Sequence, residues 1–324
     1  MQAIRIARSG GPEVLQLADI DLAPPTAGEA RVRHTAIGVN FIDVYFRTGL
    51  YAPPGYPFTP GMEAAGVVEA LGPGVTEVAV GDRVAYAGRP MGAYSQARNM
   101  TANRLVKLPR EIDDKTAAAA MLKGMTAQSL LQRTFKVERG HTILVHAAAG
   151  GVGSILCQWA HHIGARVIGT VGSEEKAARA KSDGCDHPIV YTKENFVERV
   201  KAITDGAGVQ VVYDSVGKDT FQGSLDCLAP MGLLATFGQS SGKIPPFDVL
   251  ALTPKSAFLT RPSLIEYTAK REDLVASAAA LFEVLKAGIV RVRVDGSWPL
   301  RDAALAHREL EARTTAGSLV LMPA

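Results

Sequence analysis

The sequence predicts an α/β protein with a doubly wound parallel sheet and a second, β-rich domain, and three observations predict it. Downstream of Asp114, apolar runs alternate with segments of helical spacing, the signature of βαβ units. One of those runs, within residues 143–153, feeds a small-residue turn that opens an amphipathic helix. Up to about Pro109, by contrast, short strand-like runs are punctuated by turns such as Gly10-Gly11-Pro12, Pro53-Pro54-Gly55, Gly72-Pro73-Gly74 and Gly81-Asp82.

A chain of 324 residues is long enough for two domains, each with its own apolar core. With 47% hydrophobic and 21% charged residues it has the balance of a folded soluble protein, which excludes a disordered chain. The net charge of +3 arises from 35 basic and 32 acidic residues scattered along the chain, without the basic stripe of a nucleic-acid binder. Cys157, Cys185 and Cys227 are odd in number and widely spaced, so they read as reduced, buried thiols rather than a disulfide framework or a zinc site. The opening residues alternate apolar and polar, and no stretch reaches membrane-spanning length, which makes the cytoplasm the expected address.

Six strands are expected in the parallel sheet, at residues 142–146, 166–171, 188–191, 209–213, 233–237 and 257–260. The helix after the first shows its packing face in Val152, Ile155, Leu156, Trp159, Ala160 and Ile163. A further amphipathic helix, with Leu274, Ala278, Leu281, Phe282 and Leu285, precedes apolar segments at 290–294 and 318–321 that rejoin the first domain. His146, at the end of the first strand, reads as a satisfied core group, and the adjacent His161 and His162 point apart on their helix.

The turn between the first strand and its helix carries Ala149, Gly150, Gly151 and Val152, and it places free N–H groups and a positive dipole end where a pyrophosphate binds. Ala148 stands where the dinucleotide fingerprint expects its first glycine; Gly150 and Gly153 fill the other two places. The second strand should end in the group that reads the adenosine ribose. It ends in Val171-Gly172-Ser173, with no carboxylate at the strand end, while Ser173, Lys176 and Tyr191 suit a 2′-phosphate. That favours NADPH. Two other readings stay open: Glu174 and Glu175 as displaced ribose acceptors, and Ser173 as a helix N-cap.

Taken together, Gly10-Gly11-Pro12-Glu13-Val14-Leu15, Gly38-Val39-Asn40-Phe41-Ile42-Asp43, Gly81-Asp82-Arg83-Val84, Gly92-Ala93-Tyr94-Ser95, the phosphate turn, Val212-Tyr213-Asp214-Ser215-Val216-Gly217 and Thr260-Arg261-Pro262-Ser263-Leu264 resemble the quinone oxidoreductase, or zeta-crystallin, branch of the medium-chain dehydrogenases. The resemblance implies a GroES-like β-barrel domain from residues 1–124 and 266–324, a Rossmann domain from 125–265, an active site in the cleft, and a homodimer. It places Asn40, Asp43, Tyr45, Tyr51 and Arg261 at the reacting centre. Tyr45 and Tyr51 are then donors of a proton or hydrogen bond, Arg261 a stabiliser of negative charge, Asn40 an orienting group, and Asp43 an orienting acceptor rather than a base. Phe41, Thr126, Ser215, Phe237, Gly238, Gln239, Ser240, Pro262, Ser263, Leu264 and Arg313, with Asn40 and Tyr45, would line the cofactor, beside the phosphate turn and Gly172.

Zinc-containing relatives bind their catalytic metal with Cys, His and Cys, and the resemblance puts Asn40, Met62 and Leu122 in those places. That set is a poor tetrahedral zinc site, so no metal is expected. Glu63, retained beside the second place, reads as structural. Lacking a Lewis acid, the enzyme needs an electron-poor conjugated acceptor, which a quinone is. An enone or enoyl thioester needs the same hydride geometry and is the alternative substrate; an RNA-binding or crystallin-like structural role is the alternative from another class.

Overall fold

The computed structural model describes residues 1–312 and 315–323, and they group into two compact units. The first comprises residues 1–125, 265–286 and 292–324, the second 126–264 and 287–291. The short segment 287–291, which the sequence reading gives to the first domain, goes with the second because Gln158 grips it. Its side chain accepts from Arg291 N at 2.8 Å and donates to Arg291 O at 3.3 Å.

In the first unit, β1 (Gln2–Arg5) and β2 (Gln16–Asp19) form an antiparallel pair. They are followed by β3 (Glu29–Val39), β4 (Glu63–Leu71), β5 (Arg83–Ala87), β6 (Ala97–Thr101) and β7 (Val106–Lys107). Strand β3 alternates outward and buried positions at its start and then runs fully buried from Ala36, where partners flank it on both edges. Helix α1 (Phe41–Thr48) leaves directly from its end. Helix α2 (Asp114–Ser129) starts on Asp113, whose carboxylate accepts from Thr116 N at 2.9 Å and Thr116 Oγ1 at 2.7 Å.

The second unit is a parallel sheet of β8 (Thr142–Val145), β9 (Arg166–Val171), β10 (His187–Val190), β11 (Val209–Asp214), β12 (Leu228–Thr236) and β13 (Phe258–Thr260). Their spatial order is β10-β9-β8-β11-β12-β13, every pairing parallel. That is the dinucleotide-binding order expected from the sequence. Ile143, Leu144, Val145, Val211, Val212 and Tyr213 have no exposure, as strands covered on both faces require. The connecting helices are α3 (Gly151–Ile163), α4 (Glu174–Ser182), α5 (Phe196–Ile203) and α6 (Phe221–Asp226). Strand β12 starts earlier than the apolar run beginning at Leu233 suggests, because its pairing with β11 passes through an irregularity near Val209 that keeps Leu228 in register.

The chain returns to the first unit through short α7 (Leu264–Tyr267), then α8 (Arg271–Lys286), β14 (Val294–Pro299), α9 (Ala303–Ala312) and β15 (Ser318–Met322). Strand β15 lies between β14 and β3, giving the order β14-β15-β3-β4-β5-β7, with β6 also paired to β3. The apolar segment at 290–294 only touches β14, which begins at Val294 and continues through Gly296 and Ser297. As an edge strand it is held by pairing to β15 rather than by side-chain burial. The core of this unit gathers Ile4, Ile6, Val32, Ile37, Phe46, Met62, Tyr94, Leu105, Leu319 and Leu321; fully burying an aliphatic side chain of this kind contributes about 1.5–3 kcal/mol. All three cysteines are buried and free. Among the described residues, no helix is long and apolar enough to cross a membrane.

Candidate active site

Apart from Thr126, on α2, the cofactor residues expected in the second unit stand where a strand of the parallel sheet has just ended. Ala149 to Val152 follow β8; Gly172, Ser173 and Lys176 follow β9; Tyr191 follows β10. Ser215 follows β11, Phe237 to Ser240 follow β12, and Arg261 to Leu264 follow β13. Ligands of open α/β sheets bind outside these carboxyl ends, at the point where strand order reverses, here between β8 and β11.

The turn after β8 is tightly determined. Ala147 takes the left-handed conformation (φ 52°), Gly150 N donates to Ala147 O at 2.8 Å, and Ala148 N donates to Thr170 O at 3.0 Å. Gly153 sits directly against this turn, so that a β-carbon there would collide with the Ala147 carbonyl oxygen. The first-turn N–H groups of α3 thereby face outward from a backbone without side-chain bulk, which is what a pyrophosphate needs.

Beyond β9, Ser173 is the N-cap of α4, its Oγ accepting from Lys176 N at 3.3 Å. Capping uses an oxygen lone pair and leaves the hydroxyl proton to donate. The hydroxyl of Tyr191 lies over Gly172, 3.1 Å from where a β-carbon would stand. Ser173, Lys176 and Tyr191 therefore belong to one corner of the sheet. The two carboxylates beside them are engaged elsewhere, Glu174 with Lys193 and Glu175 with Arg179, each at 2.8 Å.

Asp214 is fully buried; its main-chain oxygen accepts from Phe237 N at 2.8 Å and Gly238 N at 3.4 Å, and its carboxylate orders the turn that carries Ser215. Its Oδ1 accepts from Val216 N at 2.8 Å, Gly217 N at 3.0 Å and Thr220 Oγ1 at 2.9 Å, while its Oδ2 accepts from Ser224 Oγ at 3.0 Å. Ser224 in turn meets His146 Nε2 at 3.0 Å, and His146 Nδ1 meets Thr170 Oγ1 at 2.8 Å, so His146 is a satisfied core residue. Arg261 Nη1 donates to Thr236 O at 3.0 Å and Gly238 O at 2.8 Å, which ties that guanidinium to the end of β12. Arg313 lies outside the described residues.

The first unit brings Asn40, Phe41, Asp43, Tyr45 and Tyr51 together around α1. Asn40 precedes the helix, and its N–H donates to Asp43 Oδ2 at 2.9 Å. The Tyr45 and Tyr51 rings meet edge-on, with centroids 5.2 Å apart, and Tyr51 N donates to Tyr45 O at 3.0 Å. Asp43 has no exposure, so its carboxylate serves Asn40 and Tyr94 rather than a bound molecule. Its Oδ1 has no hydrogen-bond partner among the described residues. Burial, against the opposing Asn40 N–H and with Glu63 nearby, pushes its pKa up to about 7.

Sequence reasoning did not find the partners of Asp43. Tyr94 donates to Asp43 Oδ2 at 3.2 Å and meets His307 Nε2 at 2.9 Å; Arg47 Nη1 lies 3.0 Å from His307 Nδ1 and binds Glu311 through two 2.8 Å contacts. Because a guanidinium has no acceptor, His307 Nδ1 accepts, Nε2 carries the proton, and the line of donors runs Arg47, His307, Tyr94, Asp43. Glu63, read from sequence as structural, binds the Asn40 side chain: Asn40 Nδ2 donates to its Oε1 at 2.8 Å. Met62 is buried in the core, and Leu122 packs against it.

This arrangement has a consequence in acid. Burial holds the pKa of His307 down at about 3 and that of His34 at about 4, and it lowers that of His146. Each contributes stability above its unfolded value near 6.5 that is lost as pH falls through the folded value. Asp43 acts oppositely, contributing stability at low pH that is lost as pH rises towards 7. Three histidines outweigh one carboxylate, so melting temperature should fall steadily from pH 6.5 to 4, and less steeply in His307→Gln. Thermal melts across that range check it; a flat profile would contradict the neutral, buried histidines.

Comparison with known proteins agrees with this geometry. Residues 26–110 match the family described as alcohol dehydrogenase GroES-like domain, and 151–281 that described as zinc-binding dehydrogenase. The chain is 50% identical over 321 residues to a quinone oxidoreductase of Pseudomonas aeruginosa, covering 99% of each. It is 47% identical to a 2-haloacrylate reductase of a Burkholderia species, covering 100% of this chain and 99% of that one. Its structure is similar to that of Escherichia coli quinone oxidoreductase complexed with NADPH, with a TM-score of 0.98, 46% identity and 100% coverage of both chains.

Proposed function

The chain belongs to the quinone oxidoreductase family of medium-chain dehydrogenases/reductases, and from that premise we propose that it reduces a quinone with NADPH and without a metal. The observation that carries this reading is the donor set where zinc relatives bind their metal. It consists of a carboxamide committed to Glu63, a thioether packed in the core, and an alkyl side chain. No thiolate or imidazole is offered there, so the acceptor must be electron-poor in its own right.

When bound, NADPH supplies the hydride. The turn at Ala149–Val152 and the amino end of α3 hold the pyrophosphate, while Ser173, Lys176 and Tyr191 take the 2′-phosphate. Gly172, Ser215, Phe237, Gly238, Gln239, Ser240, Pro262, Ser263 and Leu264 line the cofactor from the same strand ends, with Phe41 and Thr126. Tyr45 and Tyr51 offer hydroxyls to the quinone oxygen as it gains negative charge, and Arg261 adds positive potential. Asn40 orients the reacting groups, with Asp43 fixing its main chain.

Steady-state rates with NADPH on quinones, enones, 2-haloacrylates and simple ketones, with metal analysis alongside, test the assignment. Quinone turnover by metal-free protein is expected; ketone reduction dependent on zinc would overturn it. The cofactor assignment predicts that Lys176→Ala and Ser173→Ala each lower kcat/KM with NADPH by roughly 10-fold or more, the worth of a charge-assisted hydrogen bond, with little change for NADH. An unchanged ratio between the two cofactors would remove the 2′-phosphate from this corner.

The 2-haloacrylate reductase relative favours a second reading, reduction of an activated carbon–carbon double bond. Both substrates are polarised conjugated systems, and the same panel separates them. We also propose a homodimer through the β13 edge, where Phe258 is 60% exposed and Met231, Val249 and Leu250 are more exposed still. Sedimentation at the monomer mass would exclude it.

A further inference from the structure

Helix α1 is held twice by one line of hydrogen bonds. The line leaves the helix at Asp43, whose Oδ2 accepts from Tyr94 Oη at 3.2 Å, passes from Tyr94 to His307 Nε2 at 2.9 Å, and returns at Arg47, 3.0 Å from His307 Nδ1. Asp43 and Arg47 stand one helical turn apart, so the four side chains close a ring through α1 itself. None of the four is more than 1% exposed. The two outside members belong to other parts of the unit: His307 to α9, and Tyr94 to the segment before β6, where its main-chain oxygen accepts from Ile4 N at 2.8 Å. Glu63, the other buried carboxylate here, stays out of the ring, being paired with Lys123 Nζ at 2.9 Å.

A helix of 8 residues has little stability of its own and keeps its place by tertiary contacts. Apolar contacts hold such a helix against the core but have no direction, so they set its rotation about the axis only loosely; hydrogen bonds are directional and fix it. For stability alone the ring is a poor choice. Buried ionic groups can often be replaced by apolar ones at little cost, and Asp43 Oδ1 has no partner among the described residues. Rotation matters on the opposite face of α1. Tyr45 lies two residues from both Asp43 and Arg47, about 200° round the helix, where its ring meets that of Phe41 at 6.4 Å and that of Tyr51 at 5.2 Å.

We propose that Tyr94 and His307 are positioning residues for quinone reduction: with Asp43 and Arg47 they fix the rotation of α1, and so the place at which Tyr45 offers its hydroxyl to the quinone oxygen. Tyr51 follows, since its N–H donates to Tyr45 O at 3.0 Å and its ring packs on Phe46 of the same helix, with centroids 5.6 Å apart. Neither Tyr94 nor His307 needs to touch the substrate. Both act through the helix, and the polarity of the line, with Arg47 donating at one end and Asp43 accepting at the other, leaves His307 a single tautomer. The inference rests on the role of the Tyr45 and Tyr51 hydroxyls proposed above.

The test uses the full-length enzyme with NADPH and a small quinone, reading kcat and KM, with circular dichroism as the control for folding. Tyr94→Phe opens the ring by removing one oxygen. It should lower kcat by about 10-fold and change KM by less than about 2-fold, as expected when a reacting group is misplaced. Placed in the Tyr45→Phe/Tyr51→Phe background, which has no hydroxyl left to misplace, the same substitution should change kcat by less than about 2-fold. A merely structural role would lower the melting temperature without this dependence on background. If Tyr94→Phe does not fold, His307→Gln takes its place: its amide keeps a donor towards Tyr94 but has nothing to receive Arg47, and kcat should fall by about 3-fold, again only where the two hydroxyls are present. A folded variant with wild-type kcat, or a loss of equal size in both backgrounds, would overturn the positioning role. Wild-type kcat in Tyr45→Phe/Tyr51→Phe itself would instead overturn the role of those hydroxyls, and the inference with it.

Discussion

Gly153→Ala is expected to weaken NADPH binding by about 100-fold while leaving the protein folded, because one methyl group displaces the anion-binding turn. The added carbon meets the carbonyl oxygen and main-chain carbons of Ala147 and Ala148, and main chain cannot swing aside as a flexible side chain does. Ala147 is already in the left-handed region, and Ala148 N is tied to Thr170 O, so the turn has little freedom to absorb the shift. The first-turn N–H groups of α3 then move away from the pyrophosphate. Fluorescence titration with NADPH, with circular dichroism as the control for folding, measures the effect. A variant binding as tightly as the wild type would show that the turn after β8 does not hold the dinucleotide.

Asp214→Ala should cost about 3–5 kcal/mol of stability, since several buried donors lose their acceptor together. The amides of Val216 and Gly217 and the hydroxyls of Thr220 and Ser224 all converge on this fully buried carboxylate, and no solvent is at hand to replace it. Asp214→Asn keeps one acceptor oxygen and should lose about half as much. Denaturant unfolding followed by a probe in the second unit distinguishes the two variants. If Asp214→Ala unfolds at the wild-type midpoint, the carboxylate is not the anchor of the Ser215 turn. The effect should reach function as well, because Gly238 sits against Ser215 with no space for a side chain, and disorder in either turn spoils the other.

The parallel sheet was legible because its strands are short apolar runs buried on both faces and separated by helical spacing. The positions of Ser173 and Ser215 just past a strand end were legible for a related reason: strand ends can be read locally, and ligands of such sheets bind beyond them. Strand β14 was not legible because nothing in its side chains marks it. Asp295, Ser297 and Pro299 look like loop, and the hydrogen bonds that make it a strand come from β15.

The polar interior of the first unit was not legible, and the reason is sequence separation. Arg47 and His307 are 260 residues apart, Tyr94 and His307 are 213 apart, and Lys123 and Glu63 are 60 apart. No periodic pattern links such pairs. A local signal existed for Lys123 alone, a single charge within the apolar run from Ala117 to Met125, because a lone cation in a buried helix requires a partner. Asp43 stands near Asn40 by its position on α1, whereas its complete enclosure follows from Tyr94 and Glu63, which arrive from elsewhere in the chain.

The placement of β15 between β14 and β3 bears on how the molecule is made. Leu319, Val320 and Leu321, among the most deeply enclosed residues of their sheet, pair with Val39, Gly38 and Ile37, which are translated far earlier. A nascent chain therefore carries the open edge of β3 until β15 has emerged from the ribosome, while residues 126–264, which close a sheet of their own, can complete it earlier. During that interval the waiting edge is the part of the polypeptide most in need of a chaperone, and a stalled or truncated message would release a product with a finished nucleotide-binding half and an unfinished barrel.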